Sequence, residues 1–99
     1  MRIVINVIDN SQIVDKYEYS NKDFLHNNKI INIKDKNLSL VSLISKTAEW
    51  ETNSKSISKG FYIEVSMEDY FRQYYFENTV PDNFTIFWHQ VRKIALGDN

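Results

Sequence analysis

The sequence contains no cysteine, two glycines and one proline in 99 residues. Without cysteine there is no disulfide framework, no thiolate metal site and no thiol nucleophile, a usage that fits a reducing compartment. A cytoplasmic location is therefore expected, the host cytoplasm if the gene belongs to a phage. With glycine only at Gly60 and Gly97, the chain has no phosphate-cradling loop, no dinucleotide fingerprint and no Gly-x-Ser-x-Gly elbow. No apolar run approaches the ~18 residues that span a bilayer, so no membrane association is expected.

Charge of one sign is also lacking. The formal net charge is −1, with nine Lys/Arg against seven Asp/Glu in residues 1–59 and three against six in residues 60–99. The molecule as a whole supplies neither the cationic field that drives nonspecific nucleic-acid binding nor the anionic one that mimics it. Histidine occurs only at His26 and His89. Neither has the short spacing to a second histidine or carboxylate that marks a zinc motif, so no metal and no cofactor is expected. A histidine pair acting as general acid and base requires the two rings to converge on one phosphate, which sequence does not reveal.

Ile, Asn, Lys and aromatic residues are what the chain has in quantity. The first three are the residues A/T-rich codons favour, as in a low-GC bacterium, its phages or its plasmids. The length suits one domain, residues 1–99, able to bury a core without staples.

Residues 2–8 alternate Ile3, Ile5 and Val7 against Arg2, Val4 and Asn6, the period of a strand, and Asp9-Asn10-Ser11 turns it into a second strand over Gln12–Tyr19. Ser20–Asn28 reads as a polar loop holding His26, with Phe24-Leu25 as its anchor. Lys29–Lys34 is a third strand candidate. Leu38, Val41, Ile44 and Ala48, with Leu40 and Leu43 beside them, predict a helix capped by Asn37 and running to about Glu51. Thr52–Gly60 is rich in Ser and Asn and reads as a flexible connector, the expected nicking site. Phe61–Val65 is a strand. Ser66 and Asp69 resemble a capping box, which predicts a helix with Met67, Tyr70, Phe71, Tyr74 and Asn78 on one stripe, ended by Val80-Pro81. Phe84, Phe87, Trp88, Val91, Ile94 and Ala95 predict the last helix, with Gly97 just past its end. The expected fold is α+β, a small antiparallel sheet of three to four strands with two to three helices packed on one face.

On a helix, consecutive residues lie about 100° apart, so Tyr74, Tyr75 and Phe76 cannot all face one core. The surplus is expected at the surface. Tyr70, Arg72, Tyr74, Tyr75, Phe76 and Trp88 are accordingly the candidate partner-binding residues, the Tyr, Trp and Arg composition of interface hot spots. No catalytic residue is assigned. The function expected is that of a non-enzymatic protein-binding module: a small inhibitor, immunity or accessory protein of a phage or mobile element, of the anti-defence or anti-CRISPR type, with homodimerisation as another use of the patch. An alternative is nucleic-acid binding by the same rings with Arg72, Arg92 and Lys93 on phosphates, although local acids outnumber those bases. The third is a small His-dependent nuclease.

Overall fold

The structure, a computed structural model, describes residues 1–97. Its centre is a six-stranded sheet, antiparallel at every pairing, in the order β4-β3-β2-β1-β5-β6. The strands are β1 (Arg2–Asp9), β2 (Gln12–Ser20), β3 (Phe24–His26), β4 (Lys29–Ile31), β5 (Gly60–Ser66) and β6 (Phe71–Phe76). Helix α1 (Lys36–Lys46) follows β4 and α2 (Phe84–Ala95) follows β6. The described residues form an α+β domain with two helices, but the expectation of three to four strands is wrong: they form six.

The two additional strands come from segments read differently in the sequence. Ser20–Asn28 is not a loop. Phe24–His26 pairs with β2, and Asn27-Asn28, both with positive φ, turn it tightly into β4. Asn10-Ser11 repeats this arrangement between β1 and β2. Positive φ at both central residues gives the turn twist that matches paired strands, and asparagine tolerates it.

Nor do residues 66–78 form a helix. Met67–Tyr70 is the loop of a hairpin, closed by the Met67 amide donating to the Tyr70 carbonyl at 2.9 Å, and Phe71–Phe76 returns along β5. In a strand, successive side chains alternate between faces. Tyr74 and Phe76 therefore enter the core while Phe71, Gln73 and Tyr75 face the other way. A run this rich in aromatics satisfies helical spacing by coincidence, and pairing with β5 together with the strand preference of aromatic residues decides the outcome.

Both helices cover the face that carries Ile3, Ile5, Tyr17, Tyr19, Ile63, Val65, Tyr74 and Phe76. The buried residues of α2 are Phe84, Phe87, Val91 and Ile94, with Trp88 and Ala95 partly buried, the stripe read from the sequence. Helix α1 is rotated from its expected stripe. Leu40, Leu43 and Ile44 are buried whereas Leu38 and Val41 are exposed; the N-cap is Asp35, whose carboxylate accepts from the Leu38 amide at 3.1 Å, and the helix ends at Lys46 rather than near Glu51.

Trp50 locks the layers together. Its ring lies within 6.0 Å, centroid to centroid, of Tyr74, Phe76, Phe84 and Phe87. Its Nε1–H donates to Asn83 Oδ1 at 2.7 Å, and Asn83 Nδ2 donates to the Lys46 carbonyl at 2.8 Å, so the residue preceding α2 also holds the end of α1. At the start of β5, Gly60 has φ +138 and a Cβ there would lie 2.0 Å from the Phe76 carbonyl oxygen, a position only glycine can occupy.

Among the described residues no helix is long and apolar enough to cross a membrane.

Candidate functional site

Among the described residues no helix lies over the opposite face of the sheet. Its cross-strand rows divide it in two. Over β1 and β2, Arg2 and Lys16 both pair with Glu18, at 2.9 and 3.7 Å. Over β5 and β6 the surface is aromatic. Phe71, Gln73 and Tyr75 point outward from β6, opposite Ser66, Glu64 and Tyr62 of β5.

The cross-strand pair Tyr62 and Tyr75 stacks with centroids 4.4 Å apart and an interplanar angle of 17°. The Tyr62 hydroxyl donates to the Glu64 carboxylate and accepts from Gln73 Nε2 at 2.9 Å. Burial, then the Glu64 carboxylate beside it, pushes the Tyr62 phenol above its ordinary value, so it remains a donor. These bonds fix ring positions. Beside the strip, on β1, Asn6 is buried and donates from Nδ2 to the carbonyl of its cross-strand partner Tyr62 at 3.1 Å, while its Oδ1 has no hydrogen-bond partner among the described residues.

The candidate partner-binding residues separate by face. Tyr74 is 0% exposed and Phe76 8%, so the expectation that they form part of a surface patch is corrected: both are core. Trp88 is partly buried, edge-on to Tyr17 and Phe61 at 5.5 and 5.1 Å. Tyr75 is on the uncovered face. Tyr70 is 41% exposed at the hairpin loop, with the Arg72 guanidinium 4.9 Å above its ring centre. Phe71, absent from the sequence-derived set, is 55% exposed and completes the strip. Its signal was the i, i+2, i+4 spacing with Gln73 and Tyr75.

The outer edge of β6 is partly occupied. The connector that reads as flexible runs along it, with the Asn53 amide donating to the Gln73 carbonyl at 3.2 Å and the Asn53 side chain exchanging two hydrogen bonds with the Tyr75 backbone at 3.0 and 3.2 Å. Farther along, Ser58 holds the Glu77 carboxylate through its amide and hydroxyl, both at 3.2 Å, and this keeps that carboxyl below its ordinary range. An asparagine that imitates a neighbouring strand blunts an edge against strand addition.

A second site lies on the helical side, at the end of α2. Tyr17, His26, His89, Arg92, Lys93, Ala95 and Leu96 line a groove of about 550 Å³. The two histidines, 63 positions apart in sequence, share it, a convergence that the sequence does not reveal. His26 is on a strand and stacks on its cross-strand partner Tyr17 at 4.3 Å and 5°. Asp15, two residues before Tyr17 on the same face, accepts from the Tyr17 hydroxyl at 2.7 Å, His26 Nε2 at 2.8 Å and Asn27 Nδ2 at 2.7 Å. Burial raises the Asp15 pKa, but these hydrogen bonds outweigh it and hold the carboxyl below its ordinary value. Because an ionised carboxylate only accepts, Nε2 carries the proton and Nδ1 is the nitrogen left for other partners.

Among the described residues, no group of three or more His, Cys, Asp or Glu side chains is placed to hold a metal. No family model matches the chain, and no characterised protein sequence or solved structure is detectably similar to it.

Proposed function

We propose that the chain is a protein-binding module that docks a partner on the uncovered face of β5 and β6. The observation that supports this most directly is the strip Phe71, Gln73 and Tyr75, with Tyr62 stacked on Tyr75, on a sheet face that no helix among the described residues covers. Tyrosine and phenylalanine held rigidly by neighbours lose little freedom on binding, which is why such rings anchor interfaces. Arg72 shares the face of Tyr74, opposite Val65 and toward the Ala48 carbonyl, so it and the Tyr70 ring beneath it lie outside this patch.

The surroundings describe the partner. Glu64 lies within the strip and Glu68 and Asp69 are exposed in the adjoining loop, so a complementary surface has an apolar centre and a basic rim. The same acids disfavour a phosphate backbone on this face. Asn53 already occupies the backbone of Gln73 and Tyr75, so recognition uses side chains on the face rather than strand addition at that edge. An interface of ordinary size buries about 800 Å² per partner. A module of this kind acts by occlusion, as a small inhibitor or accessory protein does.

The test is binding by Phe71→Ala and Tyr75→Ala, alone and together, with folding checked by circular dichroism. Each is expected to weaken the complex by about 1–2 kcal/mol or more. Unchanged affinity in the folded double variant removes the assignment.

A further inference from the structure

The groove at the end of α2 is independent of the aromatic strip. It brings together side chains from β2, β3 and α2, including both histidines of the chain. Its walls are of two kinds. Ala95 and Leu96 supply apolar surface, with the buried Tyr17 behind His26, while His89, Arg92 and Lys93 stand exposed along one side. Across from them, His26 is held in one orientation by the Asp15 hydrogen bond and by stacking on Tyr17.

Charge is unevenly distributed here. Asp15, the carboxylate next to the groove, is engaged by Tyr17, His26 and Asn27, and among the described residues Arg92 and Lys93 form no ion pair. Cations in the last turn of a helix also complement its carbonyl end, which accounts for the presence of Arg92 and Lys93. It does not account for the two histidines from separate elements on the same groove. Two cations and two imidazoles beside apolar surface match an anion joined to a flat apolar group, because guanidinium and ammonium bind phosphate oxygens while the ring is desolvated on that surface. The volume falls within the range of about 300–1,000 Å³ that holds a small molecule.

We propose that the groove between His26 and the last turns of α2 binds a phosphate monoester carrying an aromatic ring, of nucleoside monophosphate size. Arg92 and Lys93 contact the phosphate, His26 and His89 flank it, and the ring rests against Ala95 and Leu96.

With only two histidines in the chain, their ring Cε1–H signals are a direct readout. Titration of the full chain with adenosine 5′-monophosphate at fixed pH is expected to move both signals along one saturating curve. Inorganic phosphate and adenosine are each expected to require at least about tenfold higher concentration, because each supplies half of the ligand. A dinucleotide phosphodiester, with less charge on its phosphate, is expected to bind more weakly than the monoester. The Arg92→Ala/Lys93→Ala variant, altered only at exposed positions, is expected to retain its amide spectrum and lose at least about tenfold in affinity. The proposal is overturned if neither or only one histidine responds, if adenosine binds as well as its phosphate, if the phosphodiester binds as tightly as the monoester, or if the folded double variant binds unchanged.

Discussion

Tyr74 and Tyr75 are adjacent in sequence and lie on opposite faces of one sheet, Tyr74 wholly buried with its hydroxyl donating to the Thr47 carbonyl at 3.3 Å, Tyr75 half-buried and stacked on Tyr62. That alternation separates the core face from the face without a helix along the whole of β6.

It predicts opposite consequences for neighbouring substitutions. Tyr74→Ala removes a fully buried ring and is expected to cost about 3–5 kcal/mol. Tyr75→Ala removes one cross-strand pair and is expected to cost about 0.2–1 kcal/mol. Urea unfolding of the two variants distinguishes them; similar losses would contradict the strand assignment.

The Trp50–Asn83 hydrogen bond ties the end of α1 to the start of α2. Trp50→Phe keeps much of the apolar contact but leaves Asn83 Oδ1 without its donor, for an expected loss of about 1–3 kcal/mol. Asn83→Ala removes both the acceptor for Trp50 and the donor to Lys46, and is expected to cost at least as much. Thermal unfolding of both variants measures this, and an unchanged midpoint in Asn83→Ala would show that the bridge contributes nothing.

Asp15 gives an acid-dependent contribution whose direction follows from its lowered pKa. A carboxyl with a folded pKa below its unfolded value stabilises the fold at pH values above the unfolded one and loses that contribution as pH falls through the folded one. The stability difference between the native chain and Asp15→Asn is therefore expected to be steady down to about pH 4 and to shrink below it, the ordinary value being 3.8. Denaturant melts in steps between about pH 5 and pH 2 test this, and a difference that grows on acidification contradicts it.

At the sheet edge, Asn53→Ala frees the backbone of Tyr75 and two hydrogen-bonding groups with it. Exposed strand edges template pairing with other chains. The variant is expected to self-associate with rising concentration under conditions where the native chain does not, as followed by light scattering. Identical scattering would mean that the connector does not guard the edge.

Legibility in the sequence followed the strength of local signals. Residues 2–19 were readable because strict alternation in Ile3, Ile5 and Val7 is joined to a turn-forming Asn10-Ser11 pair, and α2 because its stripe agrees with Gly97 just past its end. In the second hairpin, β4 lies within the strand candidate Lys29–Lys34, but Phe24–His26 was missed: three residues are too short for a period to register, and the informative sign was Asn27-Asn28 between two apolar-containing triplets. The aromatic run failed for another reason. Five aromatic residues among Tyr70–Phe76 satisfy a helical and a strand template together, and only pairing with β5 separates them. The groove was legible in composition but not in place, because convergence of His26 and His89 depends on which strand end meets which helix end.

The most direct measurement of the proposed function is capture from a lysate of the source organism, using immobilised native chain and the Phe71→Ala/Tyr75→Ala variant in parallel, with retained species identified by mass and sized with the free chain by light scattering. The account predicts one protein retained stoichiometrically by the native chain and lost from the folded variant. Retention of that protein equally by both, or of nucleic acid released by salt in place of any protein, would contradict it.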